Sequence, residues 1–152
     1  MEFYTKGLSK FYYGVKLKGG KEPPFKVMKK KKFYIATSIV YANAPPHIGF
    51  ALESIQADVL ARYHRFLGKD VFFLTGTDEH GQKNVKAAGK AGKTPKKFCD
   101  EISAKVKELR SVLNLSNDDF IRTTDQKRHW QAVKKVWLKL KENGDIYKRK
   151  YK

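Results

Sequence analysis

The stretch from Phe33 to Thr75 constrains the fold of this chain more than any other. It opens with Phe33–Tyr41 (FYIATSIVY), rich in β-branched and aromatic residues and short enough for a buried strand. The strand ends at Ala42-Asn43-Ala44-Pro45-Pro46, a rigid turn. Leu52, Ile55, Val59, Tyr63 and Phe66 then recur three or four positions apart, which predicts an amphipathic helix that buries this face and stops at Gly68. Asp70–Thr75 (DVFFLT) reads as a second short apolar strand. Strand, turn, helix and strand in this order form a βαβ unit, so the sheet is expected to be parallel and the crossover right-handed.

The remainder continues the alternation. Gln82–Ala91 is a polar helix candidate closed by Gly92. Thr94-Pro95 supplies an N-cap and a proline at the first helical position, followed by an apolar stripe of Phe98, Ile102, Val106, Leu109 and Leu113. Phe120–Arg122 is a candidate short strand. Thr124 or Asp125 is expected to cap a last helix, with Trp130, Val133, Trp137 and Leu140 as its buried stripe and Gly144 as its end. Alternating strands and helices give an α/β fold.

Composition excludes several classes. With 41% hydrophobic and 13% aromatic residues the chain has enough apolar material for a packed core. No apolar run approaches the roughly 20 residues that span a bilayer, so no membrane partner is expected, and the amino terminus lacks the apolar stretch of a signal peptide. One cysteine, Cys99, can form neither an internal disulfide nor a multi-cysteine metal site. Its place beside Phe98 and Ile102 marks it as a packing residue, and the cysteine usage agrees with a cytoplasmic location. Net charge is +18, and residues 1–32 and 127–152 each carry 10 basic and 2 acidic side chains. Such a field favours polyanions, including nucleic acid, although a solvated lysine-rich surface has the same composition. Residues 1–32, with paired glycines, paired prolines and a lysine run but no sustained period, read as a basic extension.

In an open parallel sheet, ligands bind beyond the carboxyl ends of the strands. Two unusual loops fall there. The first, Ala44–Phe50 (APPHIGF), leads into the first helix. There Pro45 and Pro46 stiffen the approach to His47, Gly49 lets a base or ribose lie against the main chain, and the helix start offers N–H groups and a positive dipole end. The second, Thr75–Lys83 (TGTDEHGQK), carries Asp78, Glu79 and His80 in succession between two glycines. A carboxylate at a strand end suits an ammonium group. Other readings of the same residues are an N-cap role for Asp78, a first-turn dipole role for Glu79, or metal ligation by the acidic and histidine side chains.

Together these loops resemble the class I aminoacyl-tRNA synthetases. PHIGF is similar to the His-Ile-Gly-His signature of that class, and TGTDEHGQK to the second signature of its methionyl members. The likeness is dense from Ala57 to Lys83 and runs from about Phe33 to Tyr151, including Phe120–Asp125 (FIRTTD). The resemblance implies a Rossmann-like parallel sheet, of which this chain holds the first half. It also implies ATP-dependent activation of methionine to methionyl-adenylate, followed by transfer to tRNA. ATP with Mg2+, methionine and tRNA are the implied cofactor and partners.

By position, His47 and Gly49 would bind ATP and stabilise charge on its α-phosphate, with Phe50 and Glu53 also at the nucleotide. Ser38, Ile39, Tyr41, Asp78 and His80 would bind methionine, Asp78 through its ammonium. Phe50 departs from the signature, because a phenyl ring cannot donate the hydrogen bond of the usual histidine. The later lysine-bearing signature loop and the connective insert, where zinc would belong, do not occur within residues 33–152. These residues are therefore expected to be the N-terminal half of the catalytic domain, completed by a downstream half or a second polypeptide. A nucleotidyltransferase outside the synthetases and a basic RNA-binding module are the alternative functions.

Overall fold

The computed structural model describes residues 30–150. The expected basic extension, residues 1–32, lies outside the described residues except for its last three.

Strand β1 (Lys32–Ala36) is followed by the short β2 (Val40–Tyr41), helix α1 (Ile48–Phe66) and the long strand β3 (Asp70–Asp78). Helices α2 (Gln82–Lys90) and α3 (Pro95–Val112) lead to β4 (Asp119–Arg122). A π-helical turn (Gln126–Trp130) then runs into helix α4 (Gln131–Glu142). All pairings are parallel, as the βαβ pattern predicts. β1 lies along the first half of β3, from Lys32 opposite Asp70 to Ala36 opposite Leu74, and β2 along its end, with Tyr41 opposite Asp78. Val40 and Arg122 both pair with Thr77, so β4 holds the other edge of β3.

The expected single strand from Phe33 to Tyr41 is thus two strands separated by a break. Thr37 stays on the ladder, donating its N–H to Leu74 O at 3.1 Å. Ser38 leaves it, because its N–H and hydroxyl both donate to the Glu53 carboxylate of α1, at 2.5 and 2.8 Å. An acidic side chain on the crossover helix takes the donor that a continuous ladder would have used, and the strand bends there.

Side chains alternate along β3. Val71 and Phe73 pack with Ile35 against Ala57 and Ala61 of α1, and the Thr77 hydroxyl meets the Ser103 hydroxyl of α3 at 3.1 Å. A second cluster joins Ala42 and Phe50 to Cys99, Ile102 and Val106 of α3, so Cys99 is a packing residue, 4% exposed. On the opposite face Tyr34 and Phe72 stack with ring centres 6.2 Å apart and remain 61% and 46% exposed.

α3 turns its predicted stripe inward, with Ile102 and Val106 buried and Phe98, Leu109 and Leu113 half-buried, and Thr94 caps it by accepting from Lys97 N–H at 3.4 Å. α1 does not. Its Leu52, Ile55, Val59, Tyr63 and Phe66 point outward, and the face against the sheet is Phe50, Ser54, Ala57, Asp58 and Ala61. Small residues win that face because the helix must approach β1 and β3 closely. Asp58 then ties it to the segment before β4 by accepting from Ser116 N–H and hydroxyl, each at 2.6 Å, and from Arg62 at 2.5 Å. The stripe on α4 is likewise exposed, Trp130 at 43% and Trp137 at 56%, which corrects its expected burial. Asp125 does cap the π-helical turn, accepting from Lys127 and Arg128 N–H.

Candidate active site

The two loops of interest leave neighbouring parallel strands at the same end. Tyr41 and Asp78 are register partners, and adjacent strands lie about 4.8 Å apart. The second strand runs on to Asp78, so Thr75–Asp78 of the expected second loop are strand, and Ala42 N–H continues the ladder onto Asp78 O at 2.9 Å. The Tyr41 ring borders Gly81, with Lys83 Nζ 5.8 Å from the ring centre.

In the first loop, His47 is the N-cap of α1, and its Nδ1 accepts from Gly49 N–H at 3.1 Å. An accepting Nδ1 puts the neutral ring's proton on Nε2, which becomes a donor at the helix start. A Cβ on Gly49 would stand 2.9 Å from His47 Cε1, so only glycine lets the ring fold over the turn without displacement. The N–H of Gly49 is engaged by the His47 cap, and the ring lies over the helix start that the sequence assigns to the nucleotide. His47, Ile39, Tyr41, Asn43, Pro45 and Phe50 border a cleft of about 300 Å³. Phe50 is 3% exposed and belongs to the core with Ala42 and Cys99, so its ring acts as packing beneath the turn. Glu53 spends both carboxylate oxygens on Ser38. It shapes the strand break carrying Ile39 and Tyr41, which are 41% and 50% exposed.

In the second loop the three consecutive polar residues diverge. Asp78 Oδ1 accepts from His80 N–H at 3.3 Å and from the Thr123 hydroxyl at 3.4 Å. Glu79 turns inward, its side chain fully buried, and accepts from Thr77 Oγ1 at 2.9 Å, from Arg122 Nε and Nη2 at 2.6 and 3.0 Å, and from the Thr124 hydroxyl. Arg122 also reaches Asp100 of α3 at 2.5 Å. Burial by itself pushes the Glu79 carboxyl up, but the bonds from Arg122, Thr124 and Thr77 outweigh it and hold the group below the usual range. His80 is exposed, with Nε2 3.3 Å from Thr123 O and its ring 6.2 Å from that of Trp130.

This divergence removes two of the alternatives open in the sequence. Asp78 is not a helix cap, since Gly81 holds that position on α2 without a side-chain bond. Nor do Asp78, Glu79 and His80 converge on an ion; among the described residues no three metal-ligating side chains do. His80 and Arg122 border a second cleft of about 620 Å³, with Asn84, Lys96 and Trp130. Sequence reasoning missed Arg122, Thr123 and Thr124. Their signal was the charged and hydroxylated tail of FIRTTD, at the end of a strand facing the same loop.

The parallel α/β sheet with both turns at one edge is the fold of a class that the family comparison names. The family model described as tRNA synthetases class I (M) matches residues 33–152, and the chain belongs to that family. Its relatives include the methionine–tRNA ligase of Thermotoga maritima, 58% identical over 121 residues, and that of Brucella suis, 48% identical over 124. These alignments take in 80% and 82% of this chain but 19% and 24% of the relatives, so the chain spans about a fifth to a quarter of their length. Among solved structures, Mycobacterium tuberculosis methionyl-tRNA synthetase in complex with methionyl-adenylate superposes with a TM-score of 0.74 at 44% identity, over 77% of this chain and 23% of that one. LeuRS of Agrobacterium radiobacter K84, in a ternary complex with tRNA and LeuAMS, gives 0.66 at 28% identity, over 80% and 16%.

Proposed function

We propose that residues 33–152 form the ATP- and methionine-facing first half of the catalytic domain of a methionine–tRNA ligase. The observation that carries this reading is the register of Tyr41 with Asp78, which sets the His47 turn and the Asp78 turn on one sheet edge. The methionyl-adenylate in the Mycobacterium tuberculosis relative supports the substrate pair.

In the proposed reaction a methionine carboxylate oxygen attacks the α-phosphorus of ATP, a P–O bond forms, and the bond to pyrophosphate breaks. A hydroxyl at the 3′ end of tRNA then attacks the adenylate's carbonyl carbon, an ester forms, and AMP leaves. His47 Nε2–H, at the positive end of α1, donates to oxygens of the α-phosphate as their charge grows. Asp78 pairs with the substrate ammonium, Ile39 and Tyr41 supply the near wall for the side chain, with Ser38 holding their strand bend, and His80 closes the far side of Asp78. Glu53 acts through Ser38 and Phe50 from below, so neither needs to touch the nucleotide. No side chain forms a covalent intermediate; positioning and electrostatics carry the rate. Mg2+ would accompany the ATP phosphates and supply charge neutralisation there.

The test is methionine-dependent exchange of pyrophosphate into ATP, measured after joining this chain to the remaining catalytic segments of the Thermotoga maritima relative. Exchange that requires methionine is expected. Exchange supported equally by other amino acids, or RNA binding without any nucleotide chemistry, would overturn the reading in favour of a nucleotidyltransferase or a basic RNA-binding module.

A further inference from the structure

We infer that Thr123 is a positioning residue that presents one chosen oxygen of Asp78 to the amino-acid substrate; the inference rests on the ammonium-binding role proposed for Asp78.

Thr123 is 7% exposed and follows β4 directly. Every polar atom it owns is committed. Its N–H donates to Thr77 O at 3.1 Å, extending the β4 pairing by one residue. Its carbonyl oxygen accepts from Trp130 Nε1 at 3.0 Å and lies 3.3 Å from His80 Nε2. Its hydroxyl accepts from Glu79 N–H at 2.8 Å and reaches Asp78 Oδ1 at 3.4 Å. The backbone donor of Glu79 can only point its hydrogen at the hydroxyl oxygen. The single hydroxyl proton is then left for Asp78, which as a carboxylate can only accept. His80 N–H falls on the same oxygen, at 3.3 Å. Oδ1 is thus held by two donors, while Oδ2 bonds nothing among the described residues. A cation arriving over the sheet edge meets Oδ2 already oriented.

One residue therefore touches both second-loop side chains expected at the amino-acid end, Asp78 through its hydroxyl and His80 through its carbonyl. The buried Glu79–Arg122 pair holds it from both sides, since Arg122 precedes it in β4 and Glu79 supplies the N–H that fixes the hydroxyl. The geometry separates orientation from charge, with Asp78 supplying the charge and Thr123 its direction.

The experiment compares Thr123→Val and Thr123→Ser in the joined enzyme described above, by methionine-dependent pyrophosphate exchange. Valine keeps the shape and removes the hydroxyl; serine keeps the hydroxyl. T123V is expected to raise the KM for methionine about tenfold, the size of one lost hydrogen bond to a charged group, with the KM for ATP and kcat within about twofold. T123S is expected to restore the methionine KM. The inhibition constant of 4-(methylthio)butanoate, which lacks the ammonium, is expected to be unchanged in T123V, a selectivity that a general loss of packing would not produce. Should T123V yield no folded enzyme, Thr123→Cys, with a much weaker donor in nearly the same volume, carries the same comparison. An unchanged methionine KM in the hydroxyl-free variant, an equal defect in T123S, or equal weakening of the des-amino inhibitor would each overturn the inference. Loss of methionine dependence in the unsubstituted joined enzyme would instead sink the proposed function itself.

Discussion

At the scale of single residues, two glycines show how close contact dictates composition. Gly49 leaves the space into which the His47 ring folds, and Gly76 sits so near β4 that a Cβ there would stand 2.1 Å from Ile121 O. The neighbour at Gly76 is backbone and cannot swing aside, so Gly76→Ala is expected to cost about 3 kcal/mol or to part β4 from β3, read as a lowered urea midpoint. A midpoint unchanged from the parent would show that the strands are farther apart than described. The roles of these residues were unevenly legible. Asp78 and His47 stood out because polar residues beside glycine at strand ends are hard to explain by packing. The engagement of Gly49 N–H by His47 was not legible, since nothing in a His-x-Gly triplet says which way the ring turns. Phe50 read only as a nucleotide-side position that had lost a donor, because its packing with Ala42, Cys99 and Ile102 across the fold is invisible in the sequence.

At the scale of elements, the sequence located helices well and faced two of them wrongly. Hydrophobic spacing on α1 selected the stripe with the largest residues, yet the sheet accepted Ala57 and Ala61, because close helix–sheet packing rewards small side chains. The facing can be checked directly. Phe66→Ser, at an 86% exposed position, is expected to change stability by less than about 0.5 kcal/mol, whereas Phe73→Ala, fully buried, should cost about 4 kcal/mol in urea unfolding. Comparable losses from both would restore the outer stripe to the core.

The Glu79–Arg122–Asp100 network, which ties β3, β4 and α3 together, was hidden for a different reason: its members are far apart in sequence and each is ordinary alone. Arg122→Ala is expected to cost about 3 kcal/mol, the low end for breaking a buried pair because the guanidinium is 34% exposed. The network also sets an acid limb. Glu79 ordinarily titrates at 4.5 and is held lower in the fold, so its contribution is complete above that pH and is lost as pH falls through the depressed value. Urea midpoints should therefore decline below about pH 4.5, and less so in Glu79→Gln. An identical decline in that variant would assign the acid limb to other carboxylates, such as Asp58, which its own hydrogen bonds also hold low.

At the scale of the whole molecule, the order of elements was enough to fix a parallel α/β sheet and to place both loops at one edge, since right-handed crossovers leave few arrangements open. What the sequence hid was how the edge divides. His47 and His80 border different clefts, Ile39 and Tyr41 lie with His47, and the Tyr41–Asp78 register is the junction between the two turns. Function on this account comes from that junction, with nucleotide chemistry on the helix side and amino-acid recognition on the strand side. The most direct measurement is the split of kinetic constants between His47→Ala and Asp78→Asn in the joined enzyme. His47→Ala is expected to lower kcat for exchange about a hundredfold and leave the methionine KM within about twofold, while Asp78→Asn raises the methionine KM at least about tenfold. A His47→Ala enzyme whose methionine KM rises as far as that of Asp78→Asn would contradict the division of labour between the two turns.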